Sequence, residues 1–184
     1  MPRPTAVSSK QETLRPLDVP VALALAIGSA RRHSSLADIG QDLGLSASTV
    51  YEAIMRLTRA GLVNAGEREV NRKALRDFLV HGARYAFPAN PGREARGVPT
   101  GHAGPPLRGE FDSDGGFVWP DLDGPARGTS LTPLYPQATT LPARAPDVYD
   151  ALTLVDAIRA GQARERVAAT RLLDSMLGAS RVGK

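Results

Sequence analysis

The chain has 184 residues, of which 42% are hydrophobic and 23% charged, and it contains no cysteine. This length allows one or two small domains, and the missing cysteine excludes disulfides, thiolate metal sites and cysteine nucleophiles. The net charge is +4, and the excess lies in residues 1–85, which hold twelve basic and eight acidic side chains, while residues 86–184 hold eleven of each. A basic excess confined to one half is the electrostatic pattern expected of a nucleic-acid partner.

The first residues of the chain predict an arm followed by a buried helix. Residues 1–16 are polar and contain Pro2 and Pro4, so we expect a flexible arm. Residues 19–32 are apolar on most sides of a helix, which predicts a buried helix. No apolar run could cross a bilayer, and residues 10–18 are polar where a secretory signal would be apolar. We therefore expect a cytoplasmic protein.

Residues 34–63 predict two short helices joined by a tight turn. Ser34 or Ser35 is a good N-cap, and Gly44 suits a left-handed turn at the end of the first helix. The apolar residues of this helix recur at three- and four-residue steps and share one face: Leu36, Ile39 and Leu43.

The second helix of the pair is predicted to begin at its N-cap, Ser46, and to end near Gly61. Its inner face carries Val50, Ala53 or Ile54, and Leu57. The opposite face has short hydroxyl residues first and arginines later, an arrangement that recognition helices favour in the major groove of DNA. The residues of this outward face are Ala47, Ser48, Thr49, Tyr51, Glu52, Met55, Arg56 and Arg59.

A short β-hairpin is predicted after the second helix. Residues 62–63 form the first strand, residues 65–66 the turn and residues 68–70 the returning strand, with Arg68 near the tip. Asn71 then caps another helix. Because Glu67 and Glu69 flank Arg68, we do not expect the whole hairpin to touch a phosphate backbone.

The segment LADIGQDLGLSASTVYEAIMRLTRAGLV resembles the winged helix-turn-helix of bacterial transcriptional regulators of the MarR and ArsR kind, over residues 17–82. The resemblance implies a homodimeric repressor or activator, of which we favour a repressor, on a palindromic operator in double-stranded DNA. It implies that residues of the second helix face DNA, namely Ser46, Ser48, Thr49, Glu52 and Arg56. The outward face of the second helix adds Tyr51 and Arg59 to the predicted DNA-binding residues. Arg68, near the tip of the hairpin, is predicted as a further phosphate contact.

The composition changes sharply near residue 87. Residues 88–146 hold eleven of the fifteen prolines and nine glycines. This segment is either a disordered linker or an ordered, loop-rich module, and its apolar residues favour at least partial order. Residues 116–120 and 127–131 are candidates for a hairpin with its turn at residues 123–124.

The end of the chain predicts helices over residues 147–178. Asp147 is a candidate N-cap, Gly161 interrupts the pattern, and the helices should end near Gly178. We expect them to pack on the N-terminal part or across a dimer. The predicted fold class is thus mainly α (α+β), in four parts: an arm (1–16), a winged helix-turn-helix domain (17–87), a Pro/Gly-rich segment (88–146) and C-terminal helices (147–178).

We predict no catalytic, cofactor or metal site, and hence no enzyme. Residues 112–116 lack the calcium-loop spacing, and His102 is expected to be a solvated loop residue. The aromatic residues Trp119, Tyr135 and Tyr149 are either core or the lining of an effector pocket. The alternative to DNA binding is an antitoxin-like interaction protein whose C-terminal half binds a protein partner.

Overall fold

Groups of helices and groups of strands follow one another along the computed structural model, which describes residues 13–28, 30–64, 66–111 and 115–178. The fold is mixed α+β, as predicted, whereas residues 1–12 of the predicted arm and residues 112–114 lie outside the described residues. The helices are α1 (Asp18–Ile27), α2 (Leu36–Leu43), α3 (Ala47–Arg59), α4 (Arg72–Asp77), α5 (Ala83–Ala86), α6 (Leu141–Arg144), α7 (Pro146–Ala160) and α8 (Ala163–Leu177). The strands are β1 (Val63–Asn64), β2 (Glu69–Val70), β3 (Pro91–Thr100), β4 (Phe117–Pro120) and β5 (Ala126–Leu131).

Helix α1 is buried from Asp18 to Ala26, which confirms the prediction from its apolar composition. It is shorter than predicted, because the chain leaves the α-helix at Gly28 and a separate 3₁₀ turn follows at Arg31–His33. Its side chains belong to one buried cluster that also includes residues of α3, α7 and α8. The hydrophobic core therefore runs through both halves of the chain, across the composition change near residue 87.

The helix pair α2 and α3 forms through the predicted local contacts. Ser35 and Asp38 make a reciprocal capping box at the start of α2, which satisfies two backbone N–H groups. Gly44 ends α2 with φ of 69°, in the left-handed region that favours glycine. The Ser46 hydroxyl accepts a hydrogen bond from the Thr49 backbone N–H, at 3.1 Å, and so caps α3.

The predicted hairpin is present as two short antiparallel strands, with Val63 opposite Val70. The Asn71 side chain accepts a hydrogen bond from the Ala74 N–H at 3.1 Å, so it caps α4 as predicted. A wider π turn, Phe78–Gly82, links α4 to α5. In chain order, the N-terminal part thus consists of α1, α2, a tight turn, α3, the β1–β2 hairpin and α4.

The Pro/Gly-rich segment contains three strands that close on one another. The C-terminal half of β3 pairs antiparallel with β4, and its N-terminal half pairs antiparallel with β5. Strands β4 and β5 lie near the predicted residues, but they pair with each other in parallel, so the predicted hairpin is wrong. The reason is that β3, which the sequence did not indicate, lies between them as the shared antiparallel partner.

Helix α7 is the central helix of the C-terminal part, and from Val148 to Arg159 every residue except half-buried Asp150 is buried. Burial on all sides means that α7 packs within the protomer rather than across a dimer. The interruption at Gly161 and the end of α8 at Gly178 are as predicted. Asp147 is not the N-cap, because α7 begins one residue earlier, at Pro146.

Arg31 joins α2 to α7 through two carboxylates. Its Nε lies 2.8 Å from Oδ2 of Asp42 in α2, and its Nη2 lies 2.9 Å from Oδ1 of Asp147 in α7. A second contact, between Nη1 and Oδ2 of Asp147, makes the latter pair bidentate. The hydrogen bond from Arg31 is the main reason that the pKa of Asp147 lies below its usual value, although burial acts in the opposite direction.

This pair gives a pH-dependent contribution to stability. Because the pKa of Asp147 is lowered in the folded state, the stabilisation is present above the unfolded-state value of 3.8 and is lost as pH falls through the folded-state pKa. Asp147→Asn should therefore lower the free energy of unfolding by about 1 kcal/mol at neutral pH, and by progressively less below that value. Urea denaturation at a series of pH values measures the difference. Asp123→Asn, at an exposed site, is the matched control, and an Asp147→Asn effect that does not change with pH would contradict the assignment.

Candidate nucleic-acid interface

One side of α3 is exposed over the first two turns and again at the last turn. Tyr51 is 54% exposed, the Glu52 side chain is 62% exposed, and Arg59 is exposed at the last turn. The opposite side of the helix is buried through Val50, Ala53, Ile54 and Leu57, as predicted. We call the exposed side the α3 outer face, and its members are Ser46, Ser48, Thr49, Tyr51, Glu52 and Arg59.

Three hydroxyl groups cluster at the N-terminal end of the α3 outer face. The Ser46 Oγ lies 2.9 Å from Ser48 Oγ and 2.8 Å from Thr49 Oγ1. Ser46 and Ser48 are exposed and Thr49 is half-buried. Hydroxyls can donate and accept, and they stand where the partial positive charge of the helix N-terminus favours an anionic or acceptor-rich partner.

Arg56 does not belong to the α3 outer face, and the prediction that it faces DNA is wrong. The residue is 3% exposed, and its Nε and Nη2 donate to both carboxylate oxygens of Asp18 at 2.8 to 3.2 Å. Asp18 is 1% exposed and begins α1. A buried arginine needs such a paired partner, so Arg56 fixes α3 to α1 instead of reaching outward.

Arg68 is likewise engaged within the chain. It has a φ of 50°, is half-buried, and donates through Nη1 to the Ser34 carbonyl oxygen at 2.7 Å. This contact holds the hairpin against the segment that precedes α2, so we withdraw Arg68 from the predicted phosphate contacts. Glu67 and Glu69 beside it are exposed.

The turn between α2 and α3 is held by close contacts that the sequence did not indicate. The Leu45 N–H donates to the Gly40 carbonyl at 2.7 Å, and a Cβ on Gly40 would lie only 2.4 Å from the Leu45 carbonyl oxygen. The end of α2 is also fixed from the C-terminal part, because Arg144 Nη1 donates to the Gln41 carbonyl at 2.9 Å. The orientation of α3 thus depends on contacts from both halves of the chain.

The aromatic residues considered for an effector pocket are core residues. Trp119 is fully buried, and Tyr135 and Tyr149 are 3% and 6% exposed. Tyr149 donates to the Pro99 carbonyl at 2.6 Å, and burial raises the pKa of Tyr149 to about 12. Trp119 and Tyr135 pack in the core, whereas Tyr149, although largely buried, also lies at the edge of a surface cavity next to Pro99 and Arg144.

His102 is not the solvated loop residue that was predicted. Its side chain is 10% exposed, and its Nδ1 lies 3.3 Å from Oε1 of Glu165 in α8. The Phe117 ring packs edge-on against the imidazole. The histidine thus connects the loop after β3 to the start of α8.

Within the described ranges, acidic residues, cysteines and histidines form no group of three that could hold a metal ion. None of the helices described is both long enough and apolar enough to cross a bilayer. Comparisons with protein-family models, with curated proteins and with solved structures find no match for this chain. The functional assignment therefore depends on the chemistry and exposure of the α3 outer face.

Proposed function

We propose that this protein is a sequence-specific, DNA-binding transcriptional regulator of the winged helix-turn-helix class. In this proposal, residues 17–87 form the DNA-binding domain and α3 is the recognition helix. The observation that carries it is the α3 outer face, whose side chains are mostly exposed, while the apolar contacts and the Arg56–Asp18 pair that orient α3 lie on the opposite side. Short hydroxyls at one end and an arginine at the other suit a helix whose N-terminal part approaches base edges.

The proposed contacts divide the α3 outer face into two functional parts. Ser46, Ser48, Thr49 and Glu52 supply base discrimination, since hydroxyls can donate or accept and a carboxylate can accept from cytosine N4. Arg59 and Tyr51 contact the backbone and supply affinity. From Ser46 to Arg59 the helix rises about 20 Å, enough to carry both kinds of contact.

The proposal includes a cytoplasmic homodimer that acts as a repressor on a palindromic operator. Two recognition helices related by a two-fold axis would enter successive major grooves about one helical turn apart. Binding the operator in front of a promoter would then exclude other proteins from the same DNA. Its support is the resemblance of residues 17–82 to dimeric regulators and the basic excess of residues 1–85.

Selection of bound fragments from genomic DNA, with purified protein at a fixed salt concentration, tests the proposal. We expect recovered fragments to share a palindrome, because a symmetric dimer reads two half-sites. Recovery of fragments without a common sequence would contradict sequence-specific binding. Sedimentation equilibrium of the same preparation should give a dimer, and a monomer on the operator would contradict the homodimer.

Arg59→Ala should weaken binding to the selected operator about tenfold without affecting the fold. The slope of log affinity against log salt should also become shallower by about 0.9 for each phosphate that the arginine neutralises. Fluorescence anisotropy of the labelled operator at several salt concentrations measures both quantities.

The matched control is Arg171→Ala, which removes an exposed arginine of α8. It should leave the affinity and the salt slope unchanged. If both variants weakened binding equally, binding would follow overall charge and not the α3 outer face.

A further inference from the structure

A second surface stands out because it exposes large apolar side chains. Tyr85 of α5 is 75% exposed and Val167 of α8 is 72% exposed. They line a cleft of about 460 Å³ together with Val80, and buried Ile158 of α7 lies beneath it. This α5–α8 cleft is lined by Val80, His81, Arg84, Tyr85, Ile158, Ala163, Arg166, Val167 and Thr170, none of which belongs to the α3 outer face.

The polar side chains that line the α5–α8 cleft include basic residues but no acidic residue. Arg84 lies over the Tyr85 ring at 5.3 Å, and Arg166 donates to the Gly161 carbonyl at 2.7 Å. Two further exposed arginines, Arg164 and Arg171, lie on the same helix, α8. The cleft therefore combines an apolar centre with a basic rim.

The acidic side chains of the neighbouring elements already have partners. On α4 and α8, Asp77 and Asp174 both pair with Arg76. Glu165 is buried at the start of α8, next to His102. In the part of the chain that the structure describes, no carboxylate pairs with the arginines of the rim, so their charge remains available to a negatively charged ligand.

We propose that the α5–α8 cleft docks an acidic, amphipathic helix of a protein partner. Apolar side chains spaced three or four residues apart would fill the space between Tyr85 and Val167, and flanking carboxylates would pair with Arg84 and Arg166. Exposed aromatic and arginine side chains are the residue types that contribute most to such contacts. The proposal is independent of DNA binding, because the two surfaces share no residue.

Charge argues against the two other possible occupants. A symmetric contact of this cleft with a second copy would bring two basic rims together, each containing Arg84, Arg164 and Arg166. The terminal segments outside the described residues are also basic: residues 1–12 hold two basic side chains and one acidic, and residues 179–184 hold two basic and none acidic. An acidic partner is the occupant that the rim favours.

Selection from a phage-displayed library of random peptides of about 16 residues, roughly four helical turns, tests the proposal. We expect the enriched peptides to carry a net negative charge and apolar residues at helical spacing. Enrichment of neutral or basic peptides, or no enrichment above that on Val167→Glu protein, would overturn the proposal.

The most enriched peptide is then labelled, and its affinity is measured by anisotropy. Tyr85→Ala and Val167→Glu should each weaken binding at least about tenfold, whereas Leu122→Glu, at a 92% exposed apolar site outside the cleft, should not. Equal weakening in all three variants would overturn the assignment to this cleft. A wild-type dimer that Val167→Glu dissociates in sedimentation would also overturn it, in favour of a second copy.

Operator binding tests whether the α5–α8 cleft acts independently of the α3 outer face. Val167→Glu should bind the genomic operator like the wild-type protein. If no operator exists, the proposed function fails while peptide binding still tests the cleft.

Discussion

Arg56→Ala should lower the free energy of unfolding by about 3–5 kcal/mol, because it leaves the carboxylate of Asp18 buried without its cation. The wild-type pair has two nitrogen donors of Arg56 on both oxygens of Asp18, with the two side chains 2% and 1% exposed. Only the Arg15 backbone N–H, at 2.8 Å, would remain as a described donor to the carboxylate. Urea denaturation followed by circular dichroism measures the decrease.

Two comparisons distinguish this structural role from a DNA contact. Arg59→Ala, on the exposed side of the same helix, should change stability by less than about 0.5 kcal/mol. The double variant Asp18→Leu with Arg56→Met should be more stable than either Asp18→Leu or Arg56→Ala, because it removes both buried charges together. An Arg56→Ala protein with wild-type stability but without operator binding would contradict the buried pair.

Asp156→Ala should have a comparable effect, lowering the free energy of unfolding by about 3–5 kcal/mol. The Asp156 carboxylate is fully buried in α7 and accepts from Trp119 Nε1 at 2.7 Å and Thr100 Oγ1 at 2.8 Å. It also pairs with Arg159, whose Nε donates to the Phe87 carbonyl at 2.8 Å. Asp156 thus ties β3 and β4 to α7 and also orients Arg159, which holds the segment after α5. Its removal leaves three buried donors without their acceptor.

Trp119 provides the measurement for this variant, because it is the single tryptophan and is fully buried. Its fluorescence should shift to longer wavelength at a lower urea concentration in Asp156→Ala than in the wild-type protein. Asp156→Asn, which keeps an acceptor oxygen but removes the charge opposite Arg159, should be intermediate. The contrasting control is Glu94→Ala, which breaks an exposed pair with Arg127 and should cost less than about 0.5 kcal/mol. Equal effects of the buried and exposed changes would contradict this account.

Elements specified by neighbouring residues were predicted well. The caps at Ser35, Ser46 and Asn71 and the turn at Gly44 depend on side chains within a few positions of the backbone groups they satisfy. The buried apolar side of α3 follows from apolar spacing alone, although Arg56 does not. Such signals are local, so one sequence is enough to read them.

Features that depend on distant partners were missed. Arg56 lies beside the apolar stripe of α3, and only its contact with Asp18, 38 residues earlier, draws it inward. An acid at the start of an otherwise apolar helix was the one available signal, since a buried carboxylate requires a cation. Likewise, β3 is rich in residues that disfavour strands, and nothing local shows that β4 and β5 pair through it.

The burial of α1 has a consequence for protein engineering. Its side chains share a core with α7 and α8, so transfer of residues 17–87 alone to another protein would expose apolar side chains that are buried here. A chimera built from this chain must keep the residues after 87 that complete this core, so its junctions belong at the ends of the chain instead of at the change in composition.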